Sequence, residues 1–271
     1  MSGITNVQSR GRPAAWQRLP PALRSGVLGV VTPLALLGLW QAACAAHVAP
    51  PHILPSPAAV AERFQMELTG GTFWLDLSAS LSRMLEGFVL GSVSGLAFGL
   101  LLGLSQLGER LCGPVFLAYR QVALFAWVPL LSMWFGGGEA GKVAFVALSS
   151  FAPTVVNTWR ATRAIPAPLR ELAAVLTFGR LDYIRLIALP GALPGIVIGL
   201  RSALIYAWLA TVGAELFLDI APGIGGRLNE GRDKFEVDLM LVALAVLAVI
   251  GLAFSQLAAF GERRLLRWSP R

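Results

Sequence analysis

Gly136 to Val143 reads GGGEAGKV and so meets the G-x-x-x-x-G-K spacing of a phosphate-binding loop. Such a loop needs a Ser or Thr hydroxyl after the lysine to hold magnesium, and it joins a strand to a helix. Here Val143 follows Lys142, and the stretch separates two apolar runs. It is a decoy: the chain has no nucleotide site of its own, and any dependence on ATP and magnesium belongs to a partner. His47 and His52 sit in a Pro-rich loop with no cysteine or carboxylate at ligand spacing, so no metal site is expected. Cys44 and Cys112 are expected at opposite membrane faces, beyond the reach of a disulfide. No Ser-His-Asp, Cys-His or paired-carboxylate set falls at one depth, which argues against an enzyme.

The charges that remain to be explained lie within apolar sequence. Arg201 is about ten residues, roughly 15 Å, into an apolar run and cannot easily reach either surface. Exposed to lipid it would cost about 2.5–3.5 kcal/mol, so it must face protein or water. It either lines a pathway as a transient contact for an anion or bonds carbonyls or a partner carboxylate. Arg120, nearer a helix end, can snorkel. Glu215, at the far end of the run that holds Arg201, is placed to contact the loop around Gly223 or an external protein.

The elements that position these residues are membrane helices. The chain has 271 residues, 56% hydrophobic and 14% charged, with a mean hydropathy of +0.68. That is far from the quarter-charged usage of soluble domains. Apolar runs predict an all-α membrane protein of about six transmembrane helices, over 27–46, 84–104, 114–135, 142–159, 191–214 and 239–260. A basic segment, 1–26, precedes the membrane domain 27–260, and a basic tail, 261–271, follows it. With both termini in the cytoplasm, fourteen of the 22 Lys and Arg fall on inner segments and six on outer ones. The net charge of +7 is thereby a matter of topology and calls for no nucleic-acid partner.

Gly87, Gly91, Gly95, Gly99 and Gly103 recur at every fourth position of the second helix and form a groove for another backbone. Gly191, Gly195 and Gly199 repeat the device on the fifth, so these two helices are expected to face each other. Packing within the chain and a seam between two copies are both open.

The longest inner loop, 160–190, is more than a tether. After Pro166 and Pro168, Leu169, Leu172, Ala173 and Leu176 fall at i, i+3, i+4 and i+7, one apolar stripe on a short helix. Phe178-Gly179 offers a turn, and a second short helix is expected from Arg180 to Leu189, ending before Pro190. Such a helix either rests on lipid headgroups or enters a partner.

Glu171-Leu172-Ala173 followed by Ile187-Ala188-Leu189-Pro190 resembles the E-A-A-x3-G-x9-I-x-L-P loop of ABC importer permeases, matching its spacing to the residue, with Thr177 where the pattern has glycine. The resemblance narrows to the nitrate, sulfonate and taurine type through strings met in order: Leu54-Pro55-Ser56-Pro57, Ser80-Leu81-Ser82-Arg83, Trp134-Phe135-Gly136, Ala214-Glu215, Gly223-Ile224-Gly225 and Glu262 through Trp268. It implies a type I importer permease fold in the bacterial inner membrane. Two permease chains, here a homodimer, would form the pathway, cytoplasmic ATP-binding subunits would drive it, and an external solute-binding protein would deliver a small anion. Leu169, Glu171, Leu172, Ala173, Leu176, Thr177, Gly179, Leu189 and Pro190 would form the coupling site, and Arg201, Arg120 and Glu215 the pathway. An ATP-independent secondary transporter or channel is the alternative; it would show ion-coupling carboxylates deep in the helices and inverted repeats, and neither is evident.

Overall fold

The computed structural model describes residues 21–218 and 222–266, and their side chains except those of 21–30, Arg170 and Ala174. The expected basic segment 1–26 therefore lies outside the described residues up to residue 20, as does 267–271 of the basic tail. The chain forms two units, residues 1–60 and 61–271.

In the first unit, α1 (Pro21–Ala45) is followed by a turn whose His47 is left-handed, φ 51°. Trp40 Nε1 donates to the Pro55 carbonyl at 3.0 Å, which folds the Pro-rich segment back along α1. Ser56 Oγ then accepts from the Ala59 N–H at 3.2 Å and starts α2 (Pro57–Thr69).

The second unit is built around two long helices, α3 (Gly71–Leu104) and α6 (Glu139–Arg163). A Cβ placed on Gly87 would lie 2.5 Å from Val146 Cβ, on Gly95 2.9 Å from the Phe151 carbonyl oxygen, and on Gly99 2.7 Å from Thr158 Cβ. Gly91 abuts the Ala147 carbonyl and Gly103 the Thr162 hydroxyl. Opposite this row, Ser150 and Thr154 turn their hydroxyls back to carbonyls four residues earlier, at 3.1 and 2.8 Å, and so bring no unpaired polar group to the seam. The glycine row of α9 (Leu189–Phe217) also meets α6: Gly195 faces Ala161 and Gly199 faces Asn157. The two rows therefore do not face each other as expected. Each has α6 as its partner, on a different set of α6 residues.

The expected helix over 114–135 is broken. Between α3 and α6, α4 (Gln106–Gln121) ends at extended Val122 and Ala123, a 3-10 turn covers Leu124–Trp127, and α5 (Val128–Phe135) leaves at 98° to α4. An unbroken helix would set the Pro129 ring against the Phe125 carbonyl and lose a backbone bond, so the helix restarts with Pro129 in its first turn, where no N–H is needed.

After α6 come α7 (Ala167–Val175) and α8 (Arg180–Tyr183). The second short helix does not stop before Pro190. A π-helical turn, Ile184–Ala188, carries α8 into α9, with Leu189 N–H bonded to the Ile184 carbonyl. Pro190 has no N–H and would press on the carbonyl of Leu186 in a regular helix; the widened turn removes that conflict. Arg180–Phe217 is thus one 38-residue rod, longer than the expected 191–214. α10 (Ile224–Lys234) and α11 (Val237–Leu265) complete the unit.

The six expected spans correspond to α1, α3, the bent pair, α6, the rod and α11. Among the described residues four helices are long and apolar enough to cross a membrane, five if the bent pair forms one span, and Val31–Ala45 is a shorter apolar helix. Leu90, Val93, Leu209, Leu244 and Leu252 are more than half exposed, as side chains facing lipid are.

Candidate functional site

Three places gather the residues singled out in the sequence. The first is a buried polar knot at the Phe217 end of α9. Arg83 and Glu215 are both almost wholly buried. Glu215 Oε1 accepts from Arg83 Nη1 and, at 2.6 Å, from Ser80 Oγ; Oε2 accepts from the Gly225 N–H at 2.7 Å. Arg83 Nε and Nη2 donate to the two Glu139 oxygens, each at 2.7 Å. Lys142, also buried, brings its Nζ to 3.9 Å from Glu139. Two cations face two carboxylates, so the cluster is balanced as well as hydrogen-bonded, the condition under which buried charge is tolerated.

Asp76 extends the knot, accepting from the Gly223 N–H at 3.1 Å and from Arg227 Nε at 2.6 Å, while Ile224 N–H donates to Ser80 Oγ at 3.0 Å. Side chains at the two loop glycines would collide with Glu215: a Cβ on Gly223 would be 2.6 Å from its Cδ, and one on Gly225 2.7 Å from its Cβ. Ser80–Arg83, Ala214–Glu215 and Gly223–Gly225, three separate strings in the sequence, are one site. Glu215 does reach the loop around Gly223. No motif marks Asp76 as a companion, and in the sequence Glu139 and Lys142 stand out only as members of the false phosphate loop, with Lys142 also one of the six outer cations.

The second place is an open-sided cavity of about 460 Å³ in the elbow where α4 gives way to the 3-10 turn, bordered by α6 and α9. Tyr119, Arg120 and Trp127 line it from the elbow, Ser149 and Asn157 from α6, and Ser202 and Tyr206 from α9. Its lining includes no carboxylate. Arg120 is therefore brought to the cavity. Arg201, one position before Ser202, is turned to α11, where Nη1 meets Glu262 Oε2 at 2.6 Å. Glu215 belongs to the knot.

The third is α7. Leu169, Leu172 and Leu176 are 40–51% exposed, Glu171 is exposed, and Ala173 is buried. Phe178 N–H donates to the Ala173 carbonyl at 3.0 Å across Thr177, whose φ is 51°. That is a Schellman end, in which the left-handed position is ordinarily glycine. The turn therefore falls on Thr177, and Gly179, at φ −65° and ψ 163°, is merely extended. Leu189 is exposed at the root of α9, and Pro190 occupies its first turn.

Residues 87–267 match the family described as binding-protein-dependent transport system inner membrane component. The chain belongs to that family. It is the permease subunit of an ABC importer, an all-helical, multi-pass inner-membrane protein whose ATPase is a separate subunit and whose system includes a binding protein. The permease is 38% identical to the riboflavin transport system permease protein RibX of Chloroflexus aurantiacus over 93% of its own length and 96% of the relative's. It is 29% identical to the taurine transport system permease protein TauC of Escherichia coli over 99% and 98% of the two chains. In fold it resembles a chain of the inward-facing MetNI methionine ABC transporter, with a TM-score of 0.60 and 19% identity over 69% of the permease and 93% of that chain.

Proposed function

We propose that this permease, as a homodimer with both termini in the cytoplasm, imports a small anion by alternating access driven by ATPase subunits that grip α7. The observation that carries the reading is a solvent-exposed leucine face on a helix too short to be stable alone, ended by a Schellman turn and joined through residues 176–179 to the 38-residue rod. Leu169, Leu172 and Leu176 enter a groove on the ATPase, the common mode for a short amphipathic helix, and Glu171 contacts its edge. Closure of the ATPase pair displaces α7. The rod Arg180–Phe217 then carries that displacement from the cytoplasm to the outer end of the bundle, where the knot around Glu215 meets the binding protein.

An anion is favoured by the cavity beside this rod, where Arg120 is the charged lining group. Taurine, the solute named for one relative, carries a sulfonate. Arg201 and Glu262 brace α9 against α11 beside the pathway.

The test is uptake into proteoliposomes that hold the permease and its ATPase, with binding protein outside. Solute should accumulate only with ATP and binding protein. Equal uptake by the permease alone, without nucleotide, would instead mark a channel or secondary carrier.

A further inference from the structure

The cavity at the elbow carries more information about the cargo than its charge. A bare oxyanion such as nitrate or bicarbonate needs little more room than a few waters. The open-sided elbow cavity, at about 460 Å³, is far larger than one such ion needs. The volume falls within the range of pockets that enclose whole organic molecules.

The lining is divided in kind. On one side Tyr119 and Trp127 form an aromatic wall, ring centroids 5.7 Å apart and planes tilted by 54°. The Tyr119 hydroxyl is already committed to the Leu148 carbonyl at 3.2 Å, which fixes that ring in place. Trp127 is held by the 3-10 turn, so the break that replaces a straight helix is what sets the wall. Tyr206, whose carbonyl accepts from Ser149 Oγ of α6 at 3.4 Å, brings a third ring to the lining from α9. Arg120, on the last turn of α4, supplies a planar cation suited to a two-oxygen contact.

Resting on the reading of the chain as an importer of anions, we infer that the elbow cavity is a specificity site in the membrane domain for an organic anion with a flat ring. The ring stacks on Tyr119 and Trp127 while the sulfonate or carboxylate meets Arg120. Rings prefer offset or edge-on contact with other rings, and a wall of two tilted aromatics offers both. Neutral rings lose the arginine, inorganic oxyanions lose the wall, and cations meet a lining without a carboxylate.

The experiment uses the permease–ATPase complex in nanodiscs, without binding protein, and equilibrium binding of benzenesulfonate, methanesulfonate and nitrate. Benzenesulfonate is expected to bind on the order of tenfold more tightly than methanesulfonate, the size of one good aromatic contact, and nitrate more weakly still. Trp127→Leu should bring benzenesulfonate down to the level of methanesulfonate, and Arg120→Gln should weaken both sulfonates. Tyr206→Leu is the second aromatic variant, on a different element, should Trp127→Leu fail to assemble; it should also narrow the gap between the two sulfonates. Equal binding of the three anions, binding indifferent to these substitutions, or no binding at all would overturn the inference. ATP-driven uptake with binding protein is measured on the same preparation. Uptake that persists without any preference for the ring sinks the specificity site alone, whereas its absence would count against the importer.

Discussion

Arg83 on α3 and Glu215 on α9 form an ion pair with each side chain 1% exposed, and Gly225 of the following loop donates to the same carboxylate. The pair thus ties two membrane helices to a loop at one end of the bundle. Glu215→Leu leaves Arg83 with Glu139 as its remaining carboxylate and sets two buried cations against one anion, a loss of up to about 3–5 kcal/mol, whereas removing both members costs less than the sum. Glu215→Leu is expected to lower the unfolding midpoint sharply, and the double variant with Arg83→Leu should recover part of the loss. Additive losses in thermal unfolding would show the two side chains to be independent.

Thr177 bears a β-branched side chain at φ 51°, where an L-residue pays about 1–2 kcal/mol. Thr177→Gly should stabilise the end of α7 and slow amide exchange over 169–178 by roughly 5–30-fold. Faster exchange would mean that the threonine hydroxyl, bonded to the Leu176 carbonyl at 2.8 Å, outweighs the strain.

Gly91 and Gly191 should respond oppositely to alanine. At Gly91 the new methyl would strike the Ala147 carbonyl, backbone that cannot yield, and Gly91→Ala should cost about 1–3 kcal/mol and loosen α3 from α6. At Gly191 the nearest atom is Ile165 Cγ1, 3.6 Å away, so Gly191→Ala should gain up to about 1 kcal/mol of helix propensity. Thermal unfolding of the two variants side by side checks the contrast; similar effects would contradict it.

Arg201 and Arg120 are expected to part company in transport. The Arg201–Glu262 pair is substantially exposed, at 40% and 25%, so Arg201→Gln should cost under about 1 kcal/mol and leave substrate preference as it was. Arg120→Gln should raise the concentration of anion needed for uptake. A changed preference in Arg201→Gln would return that residue to the pathway.

What could be read in the sequence was local. The stripe Leu169, Leu172, Ala173 and Leu176 is legible because helical spacing is a property of neighbours, and so is each glycine row. The partner of a glycine row is not: Gly99 and Gly199 both read as small residues on a groove, and only packing assigns each to α6. The elbow is not legible because 114–135 is apolar apart from Tyr119, Arg120, Gln121 and Ser132, and hydropathy does not register the extended backbone at Val122 and Ala123. Pro190 reads as a stop because a proline ends a regular helix; a single π-helical turn evades that rule. The knot was visible only as fragments, since Ser80, Arg83, Glu215 and Gly225 lie up to 145 positions apart.

Coupling depends on a motor subunit gripping the leucines of α7. Leu172→Asp places a charge at the middle of that face without touching a membrane helix, so the chain should still insert. The most direct measurement is co-purification of the ATPase with this variant. Loss of the ATPase from an otherwise intact permease is the expected result, and full retention of ATPase would contradict the account.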